Sequence, residues 1–289
     1  MRIHHLNCGT HCPLGGAFFD GSSKGLFANI VTHCLLLETD QGLVLVDTGY
    51  GLADVQGRPA RLSRLWPAVL NVQLREHETA LRQIEALGFS ARDVRHIVLT
   101  HLDFDHAGGL EDFPEARIHV METEHDAAES KRRSLVGNQR YRPLQWDGVR
   151  YWRTYAAGGE RWFGFEAVRG LDGLPPEILM MPLRGHTAGH AGVAVRGEHG
   201  WLLNAGDAYL YHGQMDPARH HCPIGLSFYQ GIMDTDRPAR RANQERLREL
   251  KRNHWAEIAI FCSHDTLELA ALQDASRAAP RRPVAWAGR

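Results

Sequence analysis

The chain has 289 residues, 43% of them hydrophobic and 23% charged, an ordinary globular composition that predicts one compact domain. Its net charge of −1 and isoelectric point near 7.0 give no basic surface for nucleic acid or an anionic membrane, so we expect neither partner. The amino terminus lacks an apolar signal core, no apolar run approaches the length of a membrane span, and the five cysteines show no paired spacing, so we expect a cytoplasmic protein.

The first predicted elements are a strand and a helix. Residues 42–46 form a short apolar run that ends at the carboxylate of Asp47 and is followed by Gly49, a pattern typical of a buried strand that enters a turn. Residues 76–87 carry apolar side chains three or four positions apart and stop before Gly88, which predicts an amphipathic helix. This helix leads into a second apolar strand.

That second strand, at residues 95–100, ends in a cluster of side chains that are typical metal ligands. His101, Asp103, Asp105 and His106 fall within six positions. Imidazole nitrogen and carboxylate oxygen are natural donors for zinc, iron or manganese, and four of them this close converge only if the chain turns. The alternative is a solvated polar loop, but it does not explain the two glycines that follow or the matching sites further along. We therefore predict a metal-binding turn.

Three later apolar runs also end in a histidine or a carboxylate. The residues in question are His186, Asp207 and His264. In open sheets, ligands gather outside the carboxyl ends of the strands, so we predict that all these groups face one crevice. A structural histidine or a turn aspartate explains any one of them, but not the whole set.

Taken in order, these motifs resemble those of the metallo-β-lactamase superfamily, from about Ile30 to about Leu267, and come nearest to its lactonase and glyoxalase-like branches. The first family motif corresponds to Asp47 and the second to residues 101–106. The other three correspond, in order, to His186, Asp207 and His264. The resemblance implies an α/β fold, a four-layer αβ/βα sandwich with a binuclear metal site at one edge.

The resemblance also implies a role for each motif residue. One metal would be bound by His101, Asp103 and His186. The other would be bound by Asp105, His106 and His264, and Asp207 would bridge the two ions. Asp47 would orient a ligand through a hydrogen bond, and His190 would do the same unless it is an ordinary buried histidine. We expect two divalent metal ions as cofactors, with zinc as the first expectation and iron or manganese as alternatives.

One position departs from the family pattern. Asp103 stands where the family usually has a second histidine, which gives H-x-D-x-D-H. The additional carboxylate removes one positive charge from the site, so a bound water should have a higher pKa and harder ions such as iron or manganese should be favoured. A carboxylate here also occurs in the di-iron oxidoreductases of the superfamily, which are the principal alternative function.

The function implied by the resemblance is metal-dependent hydrolysis of a small acyl substrate, a lactone or an ester, by a hydroxide held between the metals. Asp105 is suited to orient that hydroxide and, after proton uptake, is one candidate acid; Tyr209 and Tyr211 are further catalytic candidates. Lactonases of the family carry a tyrosine where this chain has Leu210. A thioester hydrolase, a di-iron oxidoreductase and an inactive metal-binding sensor remain alternatives.

The domain prediction is a single unit over residues 1–276. Within it, residues 141–165 are predicted to form an aromatic-rich insertion, which either lines the substrate pocket or forms a small hydrophobic cluster. The charged residues 237–252 predict a solvated helix face, and residues 277–289 predict a loosely ordered tail. A homodimer is compatible with this organisation, and the only other partner that we expect is the small-molecule substrate.

Overall fold

The computed structural model describes residues 1–57, 61–63, 65–134, 139–166, 170–198 and 200–278. Within these ranges the strands are β1 (Arg2–His11), β2 (Ile30–Thr39), β3 (Gly42–Val46), β4 (Val94–Val98), β5 (Arg117–Met121), β6 (Trp152–Tyr155), β7 (Arg161–Trp162), β8 (Phe165–Glu166), β9 (Ile178–Pro182), β10 (Ala191–Gly197), β11 (Gly200–Asn204) and β12 (Ile258–Phe261). The α-helices are α1 (Ala17–Asp20), α2 (Leu52–Val55), α3 (Leu65–Val69), α4 (Ala80–Ala86), α5 (Glu122–Ser130), α6 (Ile224–Met233), α7 (Arg237–His254) and α8 (Thr266–Ala278).

The first sheet contains β1 to β6 in chain order. The β1, β2 and β3 strands pair antiparallel, whereas β3 to β6 pair in parallel. Because β3 and β4 run in the same direction, their carboxyl ends meet at one edge of the sheet. Asp47 follows the first of these strands and His101 lies just beyond the second, so the topology places both at that edge.

The second sheet has the strand order β12, β11, β10, β9. The β10 strand is antiparallel to both of its neighbours, and β11 is parallel to β12. The β9, β11 and β12 strands therefore point in the same direction. Their carboxyl ends lead to His186, Asp207 and His264, which explains why three residues far apart in sequence arrive at one edge.

The two sheets pack face to face and carry helices on their outer faces. Between the sheets, alternate apolar residues of the first sheet meet those of the second, in a core that includes Leu35, Leu37, Val44, Val46, Met180, Val193 and Phe261. The intervening residues Leu36 and Leu45 face the other way, into a core shared with Ile84 of α4. Outside the second sheet, Leu203 packs in a cluster that includes Leu247 of α7. This four-layer αβ/βα arrangement confirms the predicted fold class.

Two predicted elements differ from the structure. The helix expected over residues 76–87 is divided into a 3₁₀ turn at Glu76–Glu78 and the helix α4, because the Thr79 side chain caps the helix by accepting a hydrogen bond from the Arg82 N–H. The aromatic segment 141–165 is not a separate insertion: β6 extends the first sheet, and the buried aromatic residues join both outer cores.

The last helix extends into the segment predicted to be a loosely ordered tail. Residues 277 and 278, the first two of the predicted tail, still belong to α8, and the rest of that tail lies outside the described residues. Among the helices described above, none has both the length and the apolar composition needed to cross a bilayer.

Candidate metal centre

The turn after β4 is fixed by two buried carboxylates. Asp47 accepts hydrogen bonds from the backbone N–H and the hydroxyl of Thr100, both at 2.8 Å, and Glu124 accepts one from the Leu102 N–H at 3.0 Å. Asp47 itself has a φ of 56°, a left-handed backbone conformation that is uncommon for aspartate. These contacts hold residues 101–106 in a turn, as the sequence predicts, so that the four side chains leave it toward one point.

The structure brings together all seven predicted ligands, six of them in two groups and Asp207 between the groups. In the first, Asp103 Oδ2 lies 3.0 Å from His186 Nε2 and 3.4 Å from His101 Nε2. In the second, the His106 and His264 Nε2 atoms lie 3.9 and 3.8 Å from the two oxygens of Asp105. The donor atoms of the first group all lie within 4.8 Å of one another, as donors around one ion do, whereas Asp105 and His264 form such a set with His11.

Asp207 lies between the two groups. Its Oδ2 is 3.4 Å from His186 Nε2 and 3.1 Å from His264 Nε2, and its Oδ1 is 3.5 Å from His106 Nε2. A carboxylate that reaches members of both groups is placed as a bridging ligand would be. The bridging role itself stays a prediction.

The residues present fit divalent metal ions. All seven candidate ligands are buried, and within the described residues His101 Nε2, His106 Nε2 and Asp207 Oδ1 have no hydrogen-bond partner. A buried polar atom without a partner costs about 1–3 kcal/mol, so three of them converging on one point is a costly arrangement for a site that holds nothing. Metal coordination would satisfy all three atoms.

The electrostatics of the site also favour cations. Burial alone would lower the pKa of His106, but Asp207, Asp105 and Asp47 raise it to about 10. Burial would likewise raise the pKa of Asp207, yet His264 and His106 hold it well below its usual value. The carboxylates therefore attract positive charge, and a metal ion that binds here would displace protons from His106 and His264, whose pKa values are both raised.

Contacts around the cluster orient the candidate ligands. Asp47 Oδ2 lies 2.9 Å from His106 Nδ1, and His264 Nδ1 donates to the Val31 carbonyl at 2.7 Å, so both rings present Nε2 to the site. His190 donates through Nδ1 to the Leu183 carbonyl and accepts at Nε2 from the Asp207 N–H at 2.8 Å. Asp47 and His190 thus occupy positions that suit the orienting roles predicted for them.

The two candidate tyrosines have partners outside the ligand cluster. The Tyr209 hydroxyl donates to Glu268 at 2.9 Å, and its ring is fully buried in the core outside the second sheet. Tyr211 packs with Leu210 and against the His212 ring. Leu210, between the two tyrosines, lines the cavity that Asp105 and His264 also line.

Sequence reasoning missed three residues at the site: His11, Arg140 and Tyr229. His11 lies at the end of β1, and its imidazole offers a donor atom within 4.8 Å of donors from Asp105 and His264. Its Nε2 lies 2.9 Å from the Tyr50 hydroxyl. A His-Cys-Pro sequence occurs here and again at residues 221–223, which is a weak signal at best.

Tyr229, on α6, lines a small cavity next to the cluster. The cavity is lined by Asp105 and His264 and by apolar side chains: Phe19, Ile30, Leu70, Leu210 and Leu226. Burial, and then the charges of Asp105, Asp103 and Asp207, raise the pKa of Tyr229 well above its usual value, so the phenol keeps its proton. It can therefore donate a hydrogen bond to a molecule in the cavity.

Comparison with known proteins agrees with the fold and with membership of one family. A family model described as the metallo-beta-lactamase superfamily matches residues 30–253. The chain is 42% identical over 265 residues to a probable metallo-hydrolase of Mycobacterium tuberculosis, which covers 92% of this chain and 80% of the relative. It is 25% identical over 201 residues to an N-acyl homoserine lactonase of Bacillus cereus, which covers 66% of this chain and 71% of that protein.

A solved structure also matches. It is that of an N-acyl homoserine lactone hydrolase with the product N-hexanoyl-L-homoserine bound at its catalytic metal center. The match has a TM-score of 0.67 and 21% sequence identity, and it covers 93% of this chain and 95% of the other. At this identity, the likeness concerns the fold.

Proposed function

The chain belongs to the metallo-beta-lactamase superfamily and is a metal-dependent hydrolase, and from that membership we propose that it hydrolyses a lactone or ester at a site for two divalent metals. The observation that carries the proposal is the convergence of the seven candidate ligands, with Asp207 in contact with His106, His186 and His264. Zinc is the first expectation for both ions, and iron or manganese are alternatives because Asp103 adds a hard oxygen donor.

Two divalent ions in this site would polarise the substrate carbonyl and lower the pKa of a water molecule that attacks it. The protein supplies the rest. Asp105, whose pKa is raised chiefly by burial, faces the cavity and is placed to accept a proton from the attacking water and return it to the leaving oxygen. The Tyr229 hydroxyl is placed to donate a hydrogen bond to a substrate oxygen.

The cavity supports a substrate with an apolar portion. Apolar side chains, including Ile30 and Leu226, line it together with Asp105 and His264. Such a lining favours an apolar group beside the predicted ligands, and neither lysine nor arginine is among the lining residues to bind a phosphodiester. The lactonase relatives support the same substrate class, since the solved neighbour holds an acyl homoserine product.

The experiment is a substrate screen with protein reloaded separately with zinc, iron or manganese. We expect hydrolysis of N-hexanoyl homoserine lactone or of a short-chain ester, and turnover of a phosphodiester at least about 100-fold slower. In water labelled with heavy oxygen, a single turnover should place the label in the product carboxylate, without a burst phase, because no side chain forms an acyl intermediate.

Two results would overturn the proposal. One is hydrolysis of none of the lactones, esters and thioesters in the screen while the reloaded protein consumes oxygen or nitric oxide with an electron donor; that result would support the di-iron oxidoreductase. The other is a burst of product that equals the protein concentration, which would require a covalent acyl intermediate.

A further inference from the structure

Asp103, the residue that departs from the family pattern, forms a buried ion pair with Arg140. The Arg140 Nε donates to Asp103 Oδ1 at 2.6 Å, and the two side chains are only 11% and 3% exposed. A second nitrogen, Nη1, donates to the Met233 carbonyl at 2.6 Å, which fixes the guanidinium against the end of α6. The arginine is thus anchored from outside the ligand cluster.

The two oxygens of Asp103 have different partners. Oδ1 faces Arg140, whereas Oδ2 faces His186 and His101 at 3.0 and 3.4 Å. One carboxylate therefore connects a guanidinium to the first group of predicted ligands. An oxygen remains available to a metal even while the other oxygen stays paired with the arginine.

The charge of this pair equals that of the residue it replaces. A histidine ligand is neutral, and an aspartate in its place makes the site more negative by one unit. The guanidinium returns that unit from within hydrogen-bond distance, and it does so at every accessible pH because arginine does not deprotonate in proteins. The lower positive charge inferred from Asp103 alone is therefore offset.

We propose that Asp103 and Arg140 form one unit that replaces a neutral histidine ligand: Oδ2 of Asp103 binds the metal, and Arg140 on Oδ1 balances the added charge. Arg140 is then a positioning residue that acts through Asp103. Its Nη2 also donates to His186 Nε2 at 2.7 Å, and this contact is released when that nitrogen binds the metal. The contacts to Asp103 Oδ1 and the Met233 carbonyl use no ligand atom and persist.

The inference rests on the proposed metal centre but not on the substrate. The test is a set of substitutions that change the charge at these two positions. For each variant, we measure the number of metals bound per chain and, by competition with a chelating dye at one pH, the metal affinity. In Asp103→His, the guanidinium loses its partner and remains buried beside the cations. We expect metal affinity to fall about 10- to 100-fold, the usual effect of disturbing a residue that supports a metal ligand.

Two double variants distinguish an effect of the Arg140 charge from an effect of its side-chain shape. Asp103→His combined with Arg140→Gln removes the unpaired charge, so affinity should return to within about threefold of the wild type. Asp103→His combined with Arg140→Lys keeps the charge and should remain weak. The matched control is Arg240→Gln, since Arg240 is also buried and also pairs with an aspartate, Asp234, at 2.6 Å; combined with Asp103→His, it should restore nothing.

Several outcomes would overturn the inference. If Asp103→His with Arg140→Gln binds metal no better than Asp103→His, or if the lysine variant recovers equally, Arg140 does not act through its charge on Asp103. Failure of the substrate screen with wild-type protein that still binds metal would instead count only against the proposed substrate. The two proposals can therefore fail separately.

Discussion

At the scale of single residues, the least expected contributor is Tyr229. The position that carries a tyrosine in the lactonases is occupied by Leu210, which lines the same cavity as Tyr229. The α6 helix thus brings a phenol to the cavity that the chain near Asp207 does not supply. A neutral donor aimed at a developing negative charge stabilises the transition state more than the ground state.

We therefore expect Tyr229→Phe to lower kcat/KM about 100-fold while the number of bound metals stays the same, because in the proposed function the hydroxyl contacts the substrate and is not a metal ligand. Steady-state kinetics and metal analysis of the same preparation check this. Tyr151→Phe, at an exposed position, is the matched control. Full activity in Tyr229→Phe with loss in Tyr209→Phe or Tyr211→Phe would contradict this expectation and support the catalytic tyrosines predicted from the sequence.

The residues at the site divide into those that the sequence predicts and those it does not. The seven candidate ligands are visible because each follows an apolar strand and carries a donor group, a local signal. Arg140 and Tyr229 have no such signal. Arg140 does not follow an apolar strand, and Tyr229 lies on the helix α6 among apolar residues from which no local pattern distinguishes it. They reach the site only through long-range packing, which a single sequence does not reveal.

At the scale of elements, Glu268 ties the end of β12 to α8 and to the turn after β11. Its carboxylate accepts from the Cys262 N–H at 2.8 Å and from the Tyr209 hydroxyl at 2.9 Å. Burial, and then the charge of Asp265, raise the pKa of Glu268 to about 7. The stability of this junction therefore depends on pH, although the junction contributes no predicted metal ligand.

The direction in which stability changes with pH follows from the raised pKa of Glu268. The folded state holds the Glu268 proton more tightly than the unfolded chain, so the associated stability is complete below the ordinary pKa of 4.5 and is lost as the pH rises through about 7. At about 1.4 kcal/mol per pKa unit, we expect the free energy of unfolding of Glu268→Gln to rise by roughly 2–3 kcal/mol relative to that of the wild type when the pH is raised from 5 to 8.

Denaturant unfolding of both proteins at the two pH values measures this difference, with Glu249→Gln on the exposed face of α7 as the control. A free-energy difference between the wild type and Glu268→Gln that stays constant from pH 5 to pH 8 would show that Glu268 does not titrate in this range.

Element boundaries were predictable where the apolar pattern is strong and failed where a side chain intervenes. The strand at Gly42–Val46 matches its prediction in full, because β-branched and leucine residues run without interruption to a carboxylate. The helix expected from residue 76 begins only at Ala80, because Thr79 caps it. For residues 141–165, aromatic density indicates burial but does not distinguish a core from a pocket wall.

At the scale of the whole molecule, the four layers determine where the chemistry lies. Parallel strands in both sheets end at one edge, so residues separated by more than half of the chain meet there. Strand order was accessible only through the resemblance to a known family, since apolar patterns give strands but not their neighbours. Three buried aspartates, Asp103, Asp105 and Asp207, meet at this edge, and the predicted metal ions would balance their charge.

The most direct test of the central claim is the metal content of wild-type protein after equilibration with excess zinc, iron or manganese and removal of the unbound ion. Elemental analysis should give about two ions per chain with at least one of these metals, because the two ligand groups and Asp207 provide for two ions. Asp207→Ala should lose most of them. A wild-type protein that saturates at one ion per chain with every metal would contradict the binuclear centre.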